Sequence, residues 1–361
     1  MALQFGTTQT NAVSLRGLTG SPPRGITLNP GTGADGSIPA NNGRTTVFVQ
    51  AGNHSIDGTV ALTLGGGSAG SPVHHVWEIQ GSQNLVVGAP ISATLSSGNT
   101  LTKAGTGTLT LSGNNAQPQL WDGGLTVAQG TVLANSPSSS TGAGSVTVNS
   151  GATLGGRGVI SMGSQGLPTT TINGGGTLTA GTSAGAPKLS INSAGGGGGL
   201  TMNAGSTFAV KLFGVGATEI SQVAVQGFVV IDTNKIDLDL SSLNSTQVAQ
   251  LRTDVLATGV PRVYRIMTVT DGLAAGSNQF DAAGFNVTNL GLFSPGEWSF
   301  GTFDTTGTGI DGDPAANGFV TLVFTPVPEP GWLLASAVSC LGVYRGLRPR
   351  LKDKASVTGP A

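Results

Sequence analysis

The chain has little charge. Only 9% of its 361 residues are Asp, Glu, Lys or Arg, against about 25% in an ordinary globular domain. Its 16 basic and 17 acidic residues leave a net charge of −1, which gives no field to draw in nucleic acid. Carboxylates are scarcest in the middle, where Asp122 is the only one between Glu78 and Glu219. Cleaving a sugar polymer needs paired carboxylates, or a carboxylate with a positioned cation. That segment cannot supply the pair, because its other charges are Lys103, Arg157, Lys188 and Lys211. A catalytic site would have to gather Asp35, His54, Asp57 and Glu78 from the N-terminal part. Cysteine is nearly absent. Cys340 stands alone, so no disulfide framework exists, and it reads as a small apolar filler. The start, Met1 to Gly6, has neither a basic stretch nor a long apolar run, so a leader for export is expected upstream of it.

What is abundant is glycine, 60 residues, within a chain that is still 38% hydrophobic. A core can form, so general disorder is not expected. Short segments repeat one template: LTVAQG at 125–130, VTVNSG at 146–151, TTINGG at 170–175 and LTMNAG at 200–205. Each is followed by a second short strand, such as TVL at 131–133 or ATL at 152–154. Degenerate copies lie at LSIN 189–192 and VAVQG 223–227. Alternation of period two predicts strands with one buried face. The Asn and Gly between strands tolerate positive φ and predict turns. Val127, Val148, Ile172, Ile191, Met202 and Val225 hold the third template position, at separations mostly near 20 residues. A short coil cannot bury its own apolar face, but stacked coils bury a continuous core.

The stretch LTKAGTGTLTLSGN at 101–114, followed by GLTV at 124–127 and GTVLAN at 130–135, resembles the autotransporter-associated β-strand repeat. The resemblance implies a passenger-type right-handed parallel β-helix outside a bacterium. TTVFV at 45–49 through LVV at 85–87 reads as preceding coils. His54, His74 and His75 fall there, and adjacent strand residues point to opposite faces, so turn or surface histidines are expected.

From about residue 228 glycine thins and aromatics rise, with Phe280, Phe285, Phe293, Trp298, Phe300, Phe319 and Phe324. Asn244 with Gln247 three residues on is a capping box. Val248, Leu251, Val255 and Leu256 follow at helical spacing, and Gly259 and Pro261 close the segment. A helix of about 12 residues is expected, flanked by strands at 236–240, 263–267 and 319–324. This part reads as a solenoid cap, either its own sandwich or the final coils. Asp304, Asp311 and Asp313 are the best calcium candidates, since hard cations take oxygen ligands. They match no complete calcium loop, so a plain acidic turn is the expectation.

The tail has a different grammar. Val327, Pro328, Glu329 and Pro330 open an apolar run from Gly331 to Tyr344, followed by Arg345, Arg348, Arg350, Lys352 and Lys354. The prolines remove backbone donors, so a preceding strand ends there. With Arg345 snorkelling, a membrane stretch reaches Leu347, short against the usual ~20 residues. Five of the 16 basic residues lie in the last 17 positions, which favours a cytoplasmic C-terminus. The alternative, a hydrophobic helix packed on the domain, lacks the polar stripe that would solvate its outer face. Val327–Pro330, the apolar run and the arginine-rich end resemble the PEP-CTERM sorting signal of Gram-negative bacteria. The resemblance implies export, an exosortase-type processing enzyme and removal of the tail at the cell envelope.

The expected fold is therefore all-β. A right-handed parallel β-solenoid spans 1–227, clearest at 101–210. A β-rich cap with one short helix spans 228–325, and a C-terminal hydrophobic sorting helix lies within 326–361, its transmembrane stretch at 331–347. The expected function is an exported, non-enzymatic structural solenoid of the cell surface or extracellular matrix. An adhesin or carbohydrate-binding module is the second reading, and a polysaccharide lyase or hydrolase the third. No cofactor and no nucleic acid are expected. The expected partners are the processing enzyme, extracellular polysaccharide, and the inner membrane through the C-terminal helix before processing.

Overall fold

The computed structural model describes residues 3–5, 13–16, 25–28, 45–66, 72–93, 98–115, 123–163, 168–181, 188–193, 198–231, 235–270, 285–288, 292–294, 296–300 and 318–327. They form a parallel β-solenoid. Alternation of apolar and polar residues gives each short strand one inward and one outward side. Positive-φ glycines turn the chain from strand to strand. At Gly130, with φ 66°, a Cβ would sit 2.4 Å from the Gly107 carbonyl oxygen. Both backbone freedom and the missing side chain are needed there.

Two faces run the length of the stack. The first has nine strands, from Leu3–Phe5 through Thr100–Ala104, Leu125–Val127 and Val146–Val148 to Phe228–Ile231. The second has ten, from Ser14–Leu15 through Thr108–Leu111 and Thr131–Ala134 to Lys235–Asp239 and Phe285–Thr288. Nine strands at about 4.8 Å spacing make the first face about 40 Å long. The third side is divided. Gly25–Leu28, Ala61–Leu64 and Ile91–Ala93 form a three-stranded sheet at one end. At the other, Val159–Met162, Lys188–Ser193, Gln222–Gln226 and Arg262–Val269 lie parallel.

Between these two sheets the third side has a waist with no strand among its described residues. Asn115 bridges it. Its side-chain oxygen accepts from the Ile91 N–H at 2.7 Å, and its amide donates to the Ser140 carbonyl at 2.8 Å. A buried side chain thus meets backbone groups that a strand would otherwise pair. Ser136, Ser139, Ser140 and Thr141 are buried alongside it.

The register corrects one part of the repeat reading. Val127, Val148, Ile172 and Met202 do stack on the first face. Ile191 and Val225 stack on each other on the third side, so two files had been merged into one. The cause is that every face uses the same period-two pattern. The coil is 21 residues from Val127 to Val148 (148 − 127) and 30 from Ile172 to Met202 (202 − 172). The longer coil includes a third-side strand and the shorter does not.

The stack continues through Phe228–Ile231 and Lys235–Asp239, each parallel to its predecessor. The order then reverses. Gly318–Phe324 runs antiparallel to Arg262–Val269, and Trp298–Phe300 antiparallel to Gly318–Phe324. This end therefore combines final coils with an antiparallel closure. The helix is Ser245–Thr258, with the reciprocal Asn244–Gln247 capping box and Gly259 in the left-handed conformation. Val248, Leu251 and Val255 are buried, whereas Leu256 faces solvent. Arg252 forks onto Glu297 through Nε and Nη2 at 3.0 and 2.9 Å, tying the helix to the closing strands.

Candidate functional surface

The outward side of the stack is a surface of hydroxyls. On the first face Thr102, Thr126, Thr147, Thr171 and Thr201 are register neighbours in that order. On the second, Thr108, Thr131, Thr153, Thr177 and Thr207 form a matching row. Each row places a hydroxyl about every 4.8 Å along the stack. β-branched Thr suits such half-buried strand positions. The corner between the faces carries an amide ladder. Asn203 donates to Asn173 at 3.0 Å, and Asn173 donates to Asn149 at 3.3 Å. His74, the register neighbour of Thr100, lies beside the start of the first row, its ring contacting the hydroxyls of Thr100 and Thr102.

The inward side is where the structure departs from the histidine expectation. His74 and His75 do take opposite faces, but neither His54 nor His75 is at the surface. His75 shares the parity of Trp77 and Ile79, so the strand carries it into the core. The His54 ring stacks on Phe5 at 4.2 Å. Its Nδ1 accepts from the Val13 N–H at 3.1 Å, so Nε2 carries the proton toward the Ala51 carbonyl at 2.6 Å. Both His75 ring nitrogens are buried without a partner in hydrogen-bonding geometry. Burial lowers its pKa from 6.5 to about 4, the nearby Gly65 backbone opposing and His74 adding to the shift.

Lys103 is the other charge inside. It occupies an inward file that runs Val47, Trp77, Lys103, Val127, Val148. Its side chain is fully buried. The amine donates to the carbonyls of Ala104, Gly105 and Gln129 at 2.9, 2.6 and 3.1 Å, so it stitches one corner to the next. Burial lowers its pKa from 10.5 to about 8, with Glu78 opposing. Parity marks this lysine in the sequence, since Leu101, two residues earlier, also points inward.

The residues singled out as sites lie almost wholly elsewhere. Val327 is exposed just beyond Gly318–Phe324. Pro328, Glu329, Pro330, Arg345, Arg348 and Arg350 lie outside the described residues, as do Asp304, Asp311 and Asp313 and the apolar stretch 331–347. Among the described residues no helix is long and apolar enough to cross a membrane. None of their His, Cys, Asp or Glu side chains gather in threes to hold a metal ion. Of the N-terminal acid–base candidates, Asp57 is held by the Thr59 N–H and hydroxyl, Glu78 accepts from Gln80, His54 is buried, and Asp35 lies outside the described residues.

Residues 101–134 match the family model of the passenger-associated-transport repeat. The match covers two successive two-strand units, Thr100–Ala104 with Thr108–Leu111 and Leu125–Val127 with Thr131–Ala134. It contains Lys103 and a corner glycine, Gly130. No curated protein and no solved structure matches the chain.

Proposed function

We propose that this chain is exported and acts as a non-enzymatic structural rod at the cell surface or in extracellular matrix. The observation that carries the reading is the passenger-associated repeat falling on consecutive coils of a parallel stack. Low charge and uncharged outward threonine rows support it. In this reading the segment 326–361, with Val327–Pro330 and the Arg345, Arg348 and Arg350 end, is a sorting signal. It is inserted in the inner membrane, then cut by an exosortase-type enzyme. The test is mass spectrometry of the mature C-terminus in fractions of the native host. A terminus near Pro330 in envelope or secreted material is expected, and an intact Ala361 in the cytoplasm would overturn the reading.

A second reading, an adhesin or carbohydrate-binding module, is favoured by the threonine rows and the asparagine ladder. Hydroxyls and amides suit the hydrogen-bonding groups of an uncharged sugar polymer. Retention on purified envelope polysaccharide, lost when outward threonines become valine, is the expected result. Equal retention of both proteins would set this reading aside.

A further inference from the structure

The interior of the solenoid is not uniform with respect to protons. His75 is buried at 0% exposure with both ring nitrogens unpartnered, and the Trp77 indole N–H beside it in the strand is also unpartnered. Its register neighbour on the next coil is Leu101, which offers no hydrogen bond from its side chain. An imidazolium here would have only the nearby Gly65 backbone to meet its charge, in surroundings where a poorly paired charge is costly. In the stretch 123–231, no described inward position holds an ionisable side chain.

We infer that the fold contains an acid-responsive segment: protonation of His75 opens the coils of residues 45–111 while the coils of 123–231 stay closed. The groups around His75 fix the direction. His74 is the adjacent cation-forming group on its own strand. Glu78 lies three residues on, and Lys103 is inward on the next strand. The described strands Thr45–Val49, Ala61–Leu64, Asn84–Val87 and Ile91–Ala93 bring no ionisable residue, and His54–Ile56 brings only His54, already bonded through both nitrogens. Lys103 remains charged throughout the acid range and adds repulsion.

The folded pKa of about 4 lies below the ordinary 6.5. The open state therefore binds the proton more tightly, and opening begins as pH falls below 6.5. It is complete in its proton dependence below about 4. The full effect on the opening equilibrium is about 300-fold.

The test is pulse-labelling hydrogen exchange on the full chain, equilibrated at neutral pH or just below pH 4 and pulsed at one common pH. Peptides from 45–111 should lose protection in acid while those from 123–231 keep it. His75→Leu and His75→Phe should each abolish the acid loss, and either one that folds is sufficient. Equal protection of both stretches at both pH values would overturn the inference. So would opening of the whole stack together, or an acid loss that persists without the imidazole, which would place the trigger on carboxylates.

Discussion

Below the waist at Asn115 the inward positions include His54, His75 and Lys103. Above it, as far as Ile231, the described inward positions hold aliphatic residues, methionine, Phe208 and a few hydroxyls. The stacking rule is the same in both halves, with parallel strands in register and glycine at the corners. The halves differ in what each polar interior group finds. Lys103 ends at a corner, where three carbonyls meet it. His54 finds one donor and one acceptor. His75 has no partner in hydrogen-bonding geometry, only the nearby Gly65 backbone. A solenoid core therefore accepts a charge only where a side chain is long enough to reach the turn. Lys103 is, and His75 is not.

The strongest way to break this contrast is to put a charge in the aliphatic half at a position that cannot reach a corner. Ile172→Asp should cost about 4 kcal/mol or more, read as a large fall in the thermal midpoint. A mild effect would show that the upper core takes up water. The next probe is the pH dependence set by Lys103. Its folded pKa of about 8 lies below the ordinary 10.5, so the unfolded chain binds more protons between these values. Stability should rise with pH across that window, by about 3 kcal/mol in total, and the rise should vanish in Lys103→Met. Urea denaturation at several alkaline pH values measures it. At the waist itself, Asn115→Ala leaves the Ile91 N–H and the Ser140 carbonyl unmet, at a cost of about 2 kcal/mol. A silent Asn115→Ala would mean that these groups find other partners. The smallest change is expected outside, where Thr147→Val should shift stability by less than about 0.5 kcal/mol. A larger loss would make the outward rows part of the scaffold rather than a free surface.

How much of this could be read beforehand depends on whether the signal was local. Period-two alternation placed Leu125–Val127, Val146–Val148 and Thr170–Ile172 as strands, because each needs only its own neighbours to define an inward side. The capping box at Asn244 and the stop at Gly259 were equally local. Which face a strand joins is not local. LSIN at 189–192 and VAVQG at 223–227 have the first-face pattern and sit on the third side, since coil length alone decides where a strand lands. The histidines were misjudged for a related reason. Adjacent residues in a strand must split between faces, and Trp77 and Ile79 show which of the two goes inward. Leu256 keeps helical spacing with Val248 but directly follows Val255, so it lies about 100° round the helix from it and stays exposed at the edge of the covered stripe.

The waist bears on how such a molecule changes length. A 21-residue turn and a 30-residue turn both advance the first face by one strand, because the third side takes up the difference. Axial length is thereby uncoupled from residue count. A tandem duplication or deletion that begins and ends at equivalent first-face positions, such as Val127 and Val148, alters the rod by a whole step of about 4.8 Å. It leaves every other pairing in place. Changes whose two ends are not equivalent in register break a pairing. Reach therefore changes in whole steps, a countable quantity set by the number of coils.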